Sequence, residues 1–202
     1  MKLKLSLILM LTTIITSAQT NSTLSEKERK FASDYLTTTR EEFLSSVTGL
    51  SEAQLRFKAD SSKWSIMECA EHIALAEQGI FSIIQAQLKQ NAQPEKRAEI
   101  KVVEQDIINR LTNRKFKVQS PEVIKPSGRF PTIESIKSAY EKQRANCISY
   151  ISTTQDDLHN HFWQHPATGT IDLYQSIVLL AAHSKRHTLQ IEEVKSSSNF
   201  PK

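Results

Sequence analysis

From Ile171 to Lys195 one side of the sequence returns every three or four positions, at Leu173, Ile177, Leu180, His183, His187, Gln190 or Ile191, and Val194, and most of it is apolar. A stretch of that length and period fits a helix that buries one side, and it confines the chain to folds in which other elements cover that side. Two histidines, His183 and His187, lie on the same stripe, with Gln190 one turn further on. Four residues apart on a helix, two side chains stand one turn apart on nearly the same face, so both rings can reach a single point. Imidazole is a ligand for zinc, nickel, copper and iron, and a helical H-x-x-x-H pair offers two nitrogens from a rigid element. Two nitrogens do not make a site; a third has to come from elsewhere.

The remaining sequence supplies more helices. It holds only four glycines, and alternation of the strand type is nearly absent, so the expected class is all-α. A first helix is expected from about Ser25 to Val47, with Phe31, Tyr35, Leu36, Phe43 and Leu44 on its apolar side and Gly49 beyond its end. A helical turn can form at Ser51 to Leu55. A second long helix opens after Trp64, where Ser65 caps and Glu68 closes a capping box, and runs to about Lys89. Its inward stripe is Ile66, Cys69, Ile73, Ala76, Ile80 and Ile84, and His72 shares that side. A short amphipathic helix is expected within residues 96–114, on Ile100, Val103, Ile107 and Leu111. Pro121, Pro126 and Pro131 then mark an extended surface crossover. Ile133 to Ile151 forms the next helix, with Ile136, Tyr140, Cys147 and Ile151 inward. Arg144 falls on that inner side and needs a carboxylate, helix carbonyls or an anionic substrate group as partner. His159, His161 and His165 crowd the approach to the final helix, which Asp172 and Gln175 start as a capping pair.

At the N-terminus, Lys2 and Lys4 precede an apolar run from Leu5 to Ile15 and the small residues Thr16, Ser17 and Ala18. This is the layout of a secretory signal peptide cleaved before Gln19, and the run is shorter than the roughly 20 residues a bilayer span requires. The expectation is an exported protein, periplasmic or extracellular, with no stable membrane anchor. Residues 19–202 would form one domain, large enough for a proper core. The two leader lysines account for part of the formal +4 charge; residues 19–202 hold 24 basic and 22 acidic residues, which argues against a nucleic-acid-binding stripe. Cys69 and Cys147 can pair or remain thiols, and the sequence leaves both open.

His72 on one helix and His183 with His187 on another make a three-nitrogen site. Three protein ligands with one position left over is the pattern of a catalytic zinc centre; nickel, iron or manganese would also accept this donor set. The segments Trp64-Ser65-x-x-Glu68-x-x-x-His72-Ile73 and His183-x-x-Arg186-His187-x-x-Gln190-Ile191, about 110 residues apart, resemble the DinB-like (DinB/YfiT-type) metal-dependent enzymes. The similarity extends over the proline-marked crossover, Arg144 and the His165-Pro166 to Gly169 approach. It implies a four-helix bundle with a long crossover between the second and third main helices, and a divalent metal on His72, His183 and His187. It also implies either hydrolysis or thiol-dependent transfer on a small-molecule substrate.

Gln190, Arg186 and Arg144 are candidates for orienting a ligand or touching substrate. No general base stands out: the sequence His183-Ser184-Lys185-Arg186-His187 lacks the glutamate of H-E-x-x-H, and no Glu-x-x-His of the di-iron bundles occurs. Two further readings differ in class. One is a non-catalytic metal-binding or sensing module of the cell envelope; the other is a bundle whose histidines are hydrogen-bonded core residues. A homodimer through outer apolar faces is compatible with the pattern, though no distinct stripe demands one.

Overall fold

The computed structural model describes residues 23–117 and 119–202, so the leader expected over residues 1–18 lies outside the described residues. Four long helices dominate: α1 (Glu26–Val47), α3 (Ile66–Gln87), α5 (Ile133–Thr153) and α6 (Leu173–Lys195). A five-residue helix α2 (Glu52–Arg56) and a nine-residue helix α4 (Glu104–Thr112) lie in the connections, and a hairpin of β1 (Phe162–His165) and β2 (Gly169–Asp172) precedes α6. Among the described residues no helix is long and apolar enough to cross a membrane.

Each long helix starts at a side-chain cap. Ser25 with Glu28, Ser65 with Glu68 and Asp172 with Gln175 form reciprocal capping boxes, each satisfying two backbone N–H groups that the first turn leaves without partners. Such a cap contributes about 1 kcal/mol and, more importantly here, sets where the helix begins.

The long helices pack as a ring in the order α1, α6, α3, α5. Helices α1 and α6 run parallel: Lys195 Nζ donates to the Ser46 carbonyl at one end (3.2 Å), and His159, ahead of α6, meets Glu28 at the other (3.2 Å). Helix α5 runs against α1, since Arg29 in the first turn of α1 donates to the carbonyls of Ile151 and Thr154 at 3.0 and 2.6 Å. Ile66 and Met67 at the start of α3 pack with Ile133 and Ile136 at the start of α5, and with Ile191 and Val194 near the end of α6. Helices α3 and α5 are therefore parallel neighbours. A 22-residue helix is about 33 Å long, and the chain between α3 and α5 has to travel that whole distance back. It does so along α6, where Ile107 and Leu111 of α4 are buried, and then past α3.

The returning segment is pinned by one carboxylate. Glu71 accepts hydrogen bonds from three consecutive backbone N–H groups, those of Ser127, Gly128 and Arg129, at 3.2, 3.0 and 2.8 Å. Gly128 sits at φ +75°, a conformation that L side chains rarely adopt and that lets successive N–H groups converge. With the bundle on one side and the crossover on the other, α3 is buried almost all round over Ile66–Glu77.

Several expectations need correction. The helix expected within residues 96–114 is a 3-10 turn over Pro94–Glu99 and then α4, because Val103 is the N-terminal boundary residue and is 57% exposed. The stretch before α6 is a hairpin, with Ile171 on β2, so α6 begins only at Leu173. Its three-residue loop is closed by Gly169 at φ +78°, the left-handed position such loops require. Phe31 is exposed, whereas Ala32, Leu36 and Thr39 face inward. The choice left open for Cys69 and Cys147 resolves to free thiols in separate parts of the core, and burial pushes both pKa values up to about 12.

Arg144 finds its partner inside the bundle. Its guanidinium forks onto Glu77 through Nε and through NH2 (2.8 Å to Oε2), and its NH1 donates to the Leu36 carbonyl and Thr39 hydroxyl at 2.7 and 2.6 Å. Arg144→Met should cost about 3–5 kcal/mol in urea unfolding, because it leaves the Glu77 carboxylate buried without a counterion; Arg144→Met with Glu77→Met should recover most of it. Near the start of α1 and just before α6, His159 lies between Asp172 (3.0 Å) and Glu28 (3.2 Å), and its pKa is raised from 6.5, first by the bond to Asp172. That contribution is fully present below pH 6.5 and fades as pH rises through the elevated folded value. The urea midpoint of His159→Gln should therefore fall furthest behind the wild type near pH 6 and approach it as the pH is raised to about 9.

Candidate metal centre

His72 stands in the second turn of α3, and His183 and His187 one turn apart on α6, its neighbour in the ring. The ring centroids of His72 lie 5.0 Å from His183 and 4.3 Å from His187, and the α6 pair is 4.6 Å apart. One nitrogen from each ring falls within 4.8 Å of the others. The side of α6 that faces α5 carries Ser184 instead, whose hydroxyl is 3.2 Å from that of Tyr140. The histidines thus line a seam between α3 and α6 beneath the crossover, not the centre of the bundle as their apolar stripes implied.

Two of the three rings are held at the far nitrogen. His72 Nδ1–H donates to the Ile124 carbonyl (2.8 Å), and His187 Nδ1–H donates to the Gln190 side-chain oxygen (2.9 Å). Both bonds fix the tautomer with a lone pair on Nε2, the arrangement in which a histidine presents a nitrogen to a metal. His183 makes no hydrogen bond with the described residues, lies half-buried, and lines a cleft of about 780 Å3. Burial holds all three below the ordinary histidine pKa of 6.5, well below for His183 and His187, where the neighbouring imidazoles add to it; the Ile124 bond partly offsets it at His72. They are neutral at pH 7, as ligands must be.

A divalent ion fits this donor set. Zinc–nitrogen bonds of about 2.0–2.1 Å put tetrahedral ligands roughly 3.3 Å apart, and the nitrogens of the three rings lie within 4.8 Å of one another. No fourth histidine, cysteine or carboxylate joins the cluster among the described residues. Trp64, immediately before the cap of α3, packs over the site with its ring 4.8 Å from that of His72 and 6.0 Å from that of His187.

The other candidates separate. Gln190 orients His187. Arg186 points to the crossover, where it donates to the carbonyls of Leu111 (2.8 Å), Asn113 (3.0 Å) and Phe116, and so ties the end of α4 to α6. Arg144 is enclosed with Glu77, away from the cleft. The three loop histidines do not cluster: His159 joins Asp172, His161 joins the Asp157 and Gln90 carbonyls, and His165 lines the cleft. His165 Nδ1 accepts from the Ala167 N–H (3.3 Å) and pairs with the Thr168 hydroxyl (3.2 Å), leaving the proton on Nε2. Burial lowers its pKa to about 4, so it is a neutral donor.

A family model described as the DinB superfamily matches residues 35–191. Among solved structures the chain is similar to YfiT from Bacillus subtilis, described as a probable metal-dependent hydrolase with an unusual four-helix bundle topology. The two are 15% identical, with a TM-score of 0.53 over 93% of this chain and 97% of that one. No curated protein matches the sequence.

Glu71 and Ile124 do not stand out as site residues in the sequence, and His165 stands out only as one of three crowded loop histidines. For the first two there was no side-chain signal to find, because Glu71 reads backbone N–H groups and Ile124 contributes only its carbonyl. Glu71→Gln replaces one acceptor oxygen by an amide facing an N–H donor. It should cost about 2–3 kcal/mol in urea unfolding and, by loosening the carbonyl that orients His72, weaken zinc binding by about 10–100-fold in a calorimetric titration.

Proposed function

The chain belongs to the DinB superfamily, and from that premise we propose that it is an exported metal-dependent hydrolase whose divalent ion sits on His72, His183 and His187. The observation that carries this reading is the convergence of three neutral imidazoles, two of them pre-oriented through Nδ1, at the wall of an open cleft. A bound divalent ion would supply Lewis acidity, lowering the pKa of water toward neutrality. Zinc and nickel are the ions this reading favours, since imidazole suits both.

The chain's own residues do the rest. Ile124 and Gln190 hold the ligand rings in place. Trp64 packs over the rings of His72 and His187. His165 offers a neutral N–H at the cleft wall. Glu193, the one carboxylate lining the cleft among the described residues, is tied to Arg114 by bonds of 3.1 and 3.0 Å, so it supports the wall and is not free to act as a base. Export, read from the sequence of residues 1–18, favours water over a thiol as the attacking group, because low-molecular-weight thiols belong to reducing compartments. A non-catalytic module would be served better by a fourth protein ligand closing the shell, and the cluster holds three.

Protein purified without a histidine tag should carry close to one equivalent of metal by elemental analysis and hydrolyse at least one compound in a panel of ester, amide and phosphoester probes. His183→Ala with His187→Ala should lose both while keeping its helical circular dichroism. Stoichiometric metal with no turnover across the panel would support the non-catalytic module instead.

A further inference from the structure

The charge of this protein is concentrated at its cleft. Outside the leader the chain holds 24 basic and 22 acidic residues, and five of those basic residues line the cleft (Lys63, Arg110, Arg114, Lys117 and Arg186) against one acidic residue, Glu193. The remainder carries 19 basic and 21 acidic residues, so it is slightly negative while the cleft is strongly positive. The imbalance is not neutralised locally. Arg114 has Glu193, but Lys63, Arg110 and Lys117 make no ion pair with the described residues, and Arg186 spends its donors on uncharged carbonyls.

Cations gathered in a concave, partly apolar space raise the local concentration of anions and discriminate against neutral and positive molecules. The apolar part of this wall comes from Trp64, Leu111, Phe116 and Ile124, with Phe116 largely exposed. Arg110 and Lys117 are exposed on the α4 side of the same cleft as the three histidines. We infer that the substrate is a small organic anion, a carboxylate or phosphate on an apolar body, whose head group is held by Arg110 and Lys117 while its body lies against Leu111 and Phe116. This rests on the cleft being the substrate site of the proposed hydrolase, but the recognition it describes comes from the chain itself and does not need the metal. His165, a neutral donor that also lines the cleft, adds a hydrogen bond without adding charge.

The test is calorimetric binding of hexanoate, hexyl phosphate and hexanamide to the full chain, with and without one equivalent of zinc, for the wild type and for Arg110→Gln with Lys117→Gln. Both residues are exposed and have no partner in the described structure, so the variant should fold and bind zinc as the wild type does. In the metal-free protein at least one of the two anions should bind tenfold or more tighter than hexanamide, and the better of the two identifies the head group. In the variant that preference should disappear while hexanamide binding stays the same. Equal binding of anion and amide by the metal-free wild type, or an anion preference that survives in the variant, would overturn the inference. Anion preference in a protein that takes up no zinc would keep the inference and refute the metal centre; zinc uptake without anion preference would do the reverse.

Discussion

Two neighbouring long helices, α3 and α5, run in the same direction, and the distinctive features of the fold derive mostly from that constraint. Antiparallel helices can be joined by a short turn, but parallel ones require a connection as long as the bundle. The chain between Gln87 and Ile133 therefore crosses the outside of the α3–α6 seam and adds a layer there that the other seams do not have. Glu71 fixes that layer at a point one residue before His72. The Ile124 carbonyl, three residues before that anchor, meets His72 Nδ1, so the hold on the crossover and the orientation of the His72 ring are neighbouring contacts on the same turn of α3.

The electrostatics of the seam follow from its partial burial. Three imidazoles facing one another in a low-dielectric groove cannot all carry protons, because desolvation and mutual repulsion both oppose it, and each is driven toward its neutral, metal-binding form. The cations are placed differently. They stand further out on the cleft wall, where water still solvates them, except for Arg186, whose guanidinium is turned onto the carbonyls at the end of α4. The bundle interior follows an opposite rule: Arg144 and Glu77 are fully buried and satisfy each other, which suits a fixed core contact and not a binding role.

What the sequence made legible was whatever is carried by side-chain periodicity. The helical repeats located the four long helices, the capping residues set the starts of α1, α3 and α6, and the positions of His72, His183 and His187 on their stripes predicted that they meet. The repeats could not say which side of a stripe meets the bundle and which meets the crossover, and this is why the histidines lie at a seam. Arg144 announced that it needed a partner, and Glu77, inside the apolar run of α3, was the signal that could have identified it. Contacts made by the backbone left no trace in residue type: the N–H groups of residues 127–129, the Ile124 carbonyl and the pairing of β1 with β2 appear only once the chain is folded.

X-ray absorption at the metal edge, on protein purified without a histidine tag and loaded with zinc, tests the centre most directly. Three imidazole nitrogens on His72, His183 and His187 should appear as about three nitrogen scatterers near 2.0–2.1 Å, with the outer-shell signature of histidine rings, reduced in a His72→Ala variant. A protein that takes up no zinc, or zinc surrounded by oxygen with no imidazole signature, would contradict the account and leave the seam as structure alone.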